Sequence, residues 1–333
     1  MKKILFLSFV FFSTFLKADQ YSFLFYNDFF AGTDRHFTNG MSLSWIDDTV
    51  GAKMEDNNNS HAYSQFMLNT ITKLPFLQED NSKSYNAGIS ISQMAITPTD
   101  TSISTPQYDD IPYAGYLAAS FYIFRWDTKS FNEVRVDLGV VGKESGAEFV
   151  QNTFHKLIGN SEAQGWDTQL GTQYIINSTL RYGEITWDKD NFHSFDMDWF
   201  NHAGLQLGNF SSNIFAGTMF RVGQNYIKNF NVHYPYMREE ASMLKFGEDH
   251  KGFGWALSTG IDTQALFYSY ILDEAVDEGY DTQKHTLGIS LFGAIDLFYN
   301  LHKFTFLYQS HSPYTQKNET IDTFGGFVYS YQF

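Results

Sequence analysis

Cysteine is absent from this chain of 333 residues, which excludes a disulfide framework, a thiolate metal site, a cysteine nucleophile and a lipoprotein anchor. Basic residues are scarce: 22 Lys and Arg face 37 Asp and Glu, for a net charge of −15. That sign excludes nucleic acid as a partner, because phosphate neutralisation needs Lys and Arg gathered in a patch. Long apolar runs are limited to one. ILFLSFVFFSTFL (4–16) follows Lys2 and Lys3, is too short to span a bilayer, and has the shape of a secretory signal peptide with cleavage after Ala18. No other run reaches the length of a membrane helix, so helical spans are excluded after it. Lys2, Lys3 and Lys17 leave with residues 1–18, which takes the net charge from −15 to −18. Residues 19–333 read as a single domain.

Aromatic residues are what the chain has in excess. The 34 Phe, 21 Tyr and 6 Trp make up 18% of it, yet mean hydropathy is −0.30. Aromatics spread over short alternating segments suit a transmembrane barrel, whose outer face meets lipid while its inner face meets water. A soluble aromatic-rich sandwich has similar counts, so the strands decide. In 134–141, Val134, Val136, Leu138 and Val140 alternate with Arg135, Asp137, Gly139 and Val141. In 302–310, Phe304, Phe306 and Tyr308 oppose Lys303, Thr305 and Gln309. The terminal FVYSYQF puts Phe327, Tyr329, Tyr331 and Phe333 on one face, like the targeting signal of bacterial outer-membrane barrels. Similar segments start near residues 21, 36, 84, 114, 131, 168, 195, 211, 253, 283, 302 and 322. The expected fold is therefore all-β, a transmembrane antiparallel β-barrel of about twelve strands. Stretches 53–61 and 271–285 read as loops, with a short helix near 63–73.

One segment breaks the period of two. GAEFVQNTFHKLIG (146–159) spaces Phe149, Val150, Phe154, Leu157 and Ile158 as a helix does, and Gly159 is a stop signal. This predicts a short helix inserted after the fifth strand, with Gln151 and His155 on one face. In the first hairpin, alternation puts Ser22, Leu24, Tyr26 and Asp28 on the inner face and Met41, Leu43 and Trp45 on the outer face. Thr38, Gly40, Ser42 and Ser44 then face inward. Asp28 and Thr38 are thus expected in one lumen, and Asn27 faces away unless a bulge turns it.

YNDFFAGTDRHFTNG (26–40), DIPYAGYL (110–117), LGVVG (138–142), VQNTFHKLIG (150–159) and GWDTQL (165–170) together resemble the lipid A 3′-O-deacylase family of outer-membrane proteins. The resemblance implies a calcium-dependent esterase that removes the 3′-linked acyloxyacyl group of lipid A in the outer leaflet, acting as a monomer on lipopolysaccharide. It implies His155 as the base that activates water, with Gln151, Asn27 and Thr38 lining the site. Asp28 is implied as a Ca²⁺ ligand, and Glu162 as a second, from the acidic position after the helix. A bound cation also suits an acidic protein that meets an acidic lipid. The family's Asp-Arg-Pro-Tyr-Ala-Gly stands here as Asp110-Ile111-Pro112-Tyr113-Ala114-Gly115, without the basic residue. Taken singly, Asp28 reads as a turn residue, Thr38-Asn39-Gly40 as a hairpin signal, and Tyr113 and Trp166 as packing residues. Two other readings remain at this level. One is an outer-membrane serine esterase or phospholipase, with His193-Ser194 or Ser310-His311-Ser312 as its only candidates and no G-x-S-x-G elbow. The other is a porin-like barrel that conducts through its lumen.

Overall fold

A computed structural model describes residues 20–32, 36–47, 62–71, 73–74, 76, 80, 82–228, 230, 250–317 and 320–332. The expected leader 1–18, the loop 53–61 and Phe333 lie outside them. Twelve strands form a closed antiparallel barrel in which each pairs with its sequence neighbours and the first meets the last. They are β1 (Gln20–Asn27), β2 (His36–Ile46), β3 (Ser84–Thr97), β4 (Ala114–Trp126), β5 (Ser130–Val141), β6 (Gln173–Phe192), β7 (Phe195–Gly208), β8 (Ser211–Gln224), β9 (Phe253–Ser269), β10 (Leu287–Tyr299), β11 (His302–His311) and β12 (Asp322–Gln332). The sixth and tenth begin a few residues later than alternation suggests. Closure pairs Gln20 with Gln332 and Asn27 with Gly325. Both ends of the strand run therefore lie at one rim. Three tight hairpins, at 127–129, 193–194 and 300–301, share that rim, which by the usual rule of short periplasmic turns is the periplasmic one.

Side-chain alternation sorts the two faces. Ile289, Leu291 and Ile295 on β10, and Phe304, Phe306 and Tyr308 on β11, are exposed on the outside. Trp187, Trp199, Phe253 and Tyr299 form an outer aromatic girdle at the periplasmic rim, and Tyr174, Phe267 and Tyr308 one at the other rim. Inside, charges are paired: Glu133 with Arg181, Arg135 with Asp137 at 3.1 Å, Arg221 with Asp198 at 2.9 Å, and Lys303 with Asp296 at 3.1 Å. His202 meets Asp262 at 2.7 Å. On β1–β4 serines stand among the inward positions, and Ser22 meets Ser330 while Ser92 meets Ser42. Arg135, Arg181 and Arg221 are each at most 2% exposed. Large side chains fill this part of the lumen.

Among the described residues three α-helices interrupt the strands. Helix α1 (Ala62–Ile71), close to its expected position, packs Met67 and Leu68 on the outward residues Ala87, Ile123 and Val134 near the periplasmic rim. Helix α2 (Ala147–Ile158) follows β5 as expected. Helix α3 (Tyr270–Asp277) corrects the reading of 271–285 as a loop. Its buried Ile271, Leu272 and Ala275 join the apolar cluster of the barrel interior, and the Asp273 carboxylate accepts from the Ser269 N–H at its start. The stripe is only eight residues long and acidic elsewhere, so composition masked it. At the same rim His36 ties three segments together, meeting Asp322 at 2.7 Å and Asp110 at 3.1 Å. Despite partial burial, the hydrogen bond from His36 and the Thr99 N–H hold the Asp110 carboxyl down at about 2. A lumen packed in this way should carry no steady current: single-channel recordings in a planar bilayer are expected to show none, and an ohmic step from the purified chain would contradict the packing.

Candidate active site

Strand register lays one row of residues across the outer face of the wall near the non-periplasmic rim. Gly325, Asn27, Asn39, Ala95 and Gly115 are successive cross-strand partners on β12, β1, β2, β3 and β4. Gly325, Ala95 and Gly115 are small. Asn27 and Asn39, between them, are buried at 2% and 3% exposure, on a face whose next row toward the bilayer is Phe327, Phe25, Met41, Gln93 and Leu117.

The small residues are there because other elements press on this face. Just past Asn27 the chain turns into a short 3₁₀ helix, Asp28–Ala31, which folds over β12. A Cβ on Gly325 would stand 2.8 Å from the Phe30 Cβ. Asp28, at the start of this turn, is 2% exposed. At the other end of the row, a Cβ on Gly115 would stand 2.1 Å from the Ser145 Oγ and 2.7 Å from the Ala147 Cβ. The Gln93 Nε2 donates to the Ser145 carbonyl at 2.5 Å. Thus α2 starts over β4. Further along it, Phe154 meets Phe25 of β1, with ring centroids 5.5 Å apart.

Between those two anchors α2 crosses β3 and β2. At about 1.5 Å per residue, Gln151 lies about 6 Å and His155 about 12 Å beyond Ala147, which spans the spacing of neighbouring strands at about 4.8 Å each. Ala147, Gln151 and His155 are its buried residues, four apart on one face. The helix roofs the row, and the two amides on the wall lie under its buried face.

The turn after α2 fixes both polar side chains. Gly159 adopts φ 79°, a left-handed cap that suits glycine, and sends its N–H back to the His155 carbonyl. The reversed chain brings the Ser161 carbonyl to 2.6 Å from the His155 Nδ1. A carbonyl only accepts, so Nδ1 carries the proton and Nε2 is the basic nitrogen of the neutral ring. The Trp166 Nε1–H donates to the Gln151 Oε1 at 2.8 Å, and Trp166 packs on Tyr113 at 5.1 Å. This bond sets which end of the amide points away from Trp166: the Gln151 Nε2, buried and without a hydrogen-bond partner. Both atoms of the Asn39 side-chain amide are likewise buried without one. Orphaned buried amides are rare and costly, which marks a place where a ligand or water completes the bonding.

The structure brings His155, Gln151 and Asn27 to one rim and one face, with Asp28 buried in the turn next to Asn27. Of Thr38 only the backbone is described: it is the extra residue of a bulge between Phe37 and Asn39. Asn27 lies on the outer face, as alternation predicts, and α2 lies against that face and not in the lumen. Trp45 is outward as expected, although covered. Glu162 is a partly exposed residue engaged by Lys156. Ile111, in the position of the missing basic residue, is buried in the lumenal apolar cluster. Tyr113 and Trp166 pack, as read. Asn39 was passed over as a turn signal; the available clue was an amide at a face position otherwise given to apolar residues, directly opposite Asn27.

The serine candidates do not assemble. His193 and Ser194 sit in the periplasmic hairpin turn between β6 and β7. On β11 they fall on opposite faces, with His311 inward against Tyr314 and Ser310 bonded to Thr323. Among the described residues no group of three or more His, Cys, Asp or Glu stands together, so a cation here would rely on one carboxylate with amide, hydroxyl and backbone oxygens.

The profile of the family described as Outer membrane protein LpxR matches residues 4–333. Sequence comparison with curated proteins gives no match. Among solved structures, LpxR from Salmonella typhimurium superposes with a TM-score of 0.72 at 12% identity, over 94% of this chain and 100% of that one. The β domain of the Bordetella autotransporter BrkA follows with a TM-score of 0.46 at 7% identity, over 95% and 99%. The translocator domain of NalP from Neisseria meningitidis gives 0.38 at 6% identity, over 94% and 87%.

Seating of α2 depends on the missing side chain at Gly115. Gly115→Val should lift the helix, so tryptic cleavage after Lys156 is expected to accelerate while the barrel keeps its heat-modifiable migration. Unchanged cleavage would show that the close approach is not what holds the helix down.

Proposed function

Because the chain belongs to the LpxR family of outer membrane proteins, we propose that it is a lipid A deacylase of the outer membrane that hydrolyses the 3′-O-linked acyloxyacyl ester. The observation that carries this reading is the place of the buried amides and His155: on the outer face of the barrel, under a helix, near the non-periplasmic rim. A lipid in the outer leaflet reaches that cleft sideways, without entering the lumen. Phe25, Met41 and Leu117, in the row below, offer an apolar wall to an acyl chain as the ester meets polar residues above.

In the reaction, the Nε2 of His155 takes a proton from water, and the oxygen of that water adds to the ester carbonyl carbon. Collapse of the tetrahedral intermediate breaks the bond to the sugar oxygen, which receives the proton from His155. The products are a free acid and an alcohol. The Ser161 carbonyl keeps the ring in the reactive tautomer and stabilises its charged form. Gln151, held by Trp166, positions water or ester from the same helix face. A calcium ion would suit the donor set: Asp28 would supply one buried carboxylate and Asn27 a neutral oxygen. When bound it would act as a Lewis acid on the ester carbonyl. Glu162, engaged by Lys156, is the outlying candidate for a further ligand.

Full-length protein assayed on purified lipid A by mass spectrometry tests this. Loss of the mass of the 3′ acyloxyacyl group is expected, with His155→Ala slowing it by about 10²–10⁴-fold. Full activity in that variant would end the mechanism, and an unchanged lipid A spectrum with the wild type would end the function. One carboxylate implies weak cation binding, so chelation should abolish turnover and calcium should restore it with half-effect at about 10⁻⁴–10⁻³ M. Asp28→Ala should shift that dependence upward or lose activity altogether.

A further inference from the structure

We propose that Asn39 is a catalytic residue, whose side-chain Nδ2 donates to the oxyanion formed on the ester, together with the Nε2 of Gln151. The proposal rests on the hydrolase reading above and assigns it an oxyanion site that the sequence motifs did not indicate. When water adds to the carbonyl carbon, the carbonyl electron pair moves to oxygen, and beside any cation that oxygen is stabilised by preorganised donors in a dry place. His155, with a single basic nitrogen, is occupied with the water proton.

Two amide donors meet the requirement. Asn39 is 3% exposed and points outward from β2, with neither side-chain polar atom hydrogen-bonded. Gln151 is fully buried, and its Nε2 is also without a partner. They belong to opposing walls of one cleft, since α2 passes from Ala147 over Gly115 to Phe154 beside Phe25 and so crosses the strands that carry Ala95 and Asn39. The direction of the Gln151 amide is fixed, because Trp166 can only donate and takes the carbonyl oxygen. Asn39 is fixed by its backbone, paired with Asn27 on one side and Ala95 on the other, next to the Thr38 bulge. Rigid donors of this kind cost no reorganisation as charge develops. A buried amide with neither polar atom bonded is hard to explain as packing, because replacing it with an apolar residue would relieve a desolvation penalty.

Asn39→Asp tests the role directly, since it keeps the shape and replaces the donor with an acceptor. The readout is kcat and KM on lipid A across a calcium titration, with heat-modifiable migration as the check of folding. The expected result is a fall in kcat of about 10²–10³-fold with KM and the half-effective calcium concentration little changed. If Asn39 instead holds a cation through its Oδ1, the aspartate should retain turnover and need less calcium, which would overturn the proposal. So would a kcat within a few-fold of wild type. Should Asn39→Asp fail to fold, Asn39→Ala carries no charge into the cleft and is expected to show the same loss of kcat. Failure of the hydrolase reading itself looks different: wild type and His155→Ala would then be alike on lipid A, whatever stands at position 39.

Discussion

The close approach of a helix to the outside of a β wall is what the site depends on. Strand backbones in a closed barrel spend their hydrogen bonds on one another, so the wall cannot be opened to make a pocket without leaving polar groups unsatisfied in lipid. Side chains are the remaining variable. By reducing them to a hydrogen at Gly115 and Gly325 and a methyl at Ala95, the sequence lets α2 and the Phe30 turn lie against the wall. Two asparagines in the same row then have protein on both sides where the rows below have lipid. The cleft is made by addition to the barrel.

The two faces of the wall handle polarity differently. Inside, the costs of burial are met pairwise: Glu133 with Arg181, Asp198 with Arg221 and with the Tyr226 hydroxyl at 2.6 Å. Such a network fixes the cross-section of the barrel, and each member constrains the next. Outside, under α2, Asn39 and one end of Gln151 are left unpaired. In the lumen each charge has a partner of opposite sign close by, whereas Asn39 and the free end of Gln151 have no charged or polar partner under the helix, where a reacting group can meet them.

Much of this was legible in the sequence. A period of two marks the strands wherever one face meets lipid, and the rise to a helical period at 146–159 marks α2 because five apolar residues carry it. The side of the wall on which the site lies was not legible. Alternation assigns residues to two faces, and it stops being informative where the backbone leaves the regular strand. That happens at Asp28, the first residue of a 3₁₀ turn, and at Thr38, the extra residue of a bulge. Both were read as if their strands continued. Nor does a linear pattern say which outer positions another element will cover. Gly115 and Ala95 read as ordinary small residues until α2 is seen to lie on them. Helix α3 was missed because its buried stripe is too short to outweigh its acidic neighbours.

An external cleft changes what substrate concentration means for this protein. A catalyst facing solution samples solute per volume, whereas one whose doorway opens along the leaflet samples neighbours per area. On the proposed reading its turnover would be set by the mole fraction of substrate among the lipids that surround the barrel, and diluting the suspension would leave that fraction untouched. Inert amphiphiles mixed into the same layer compete by occupancy alone.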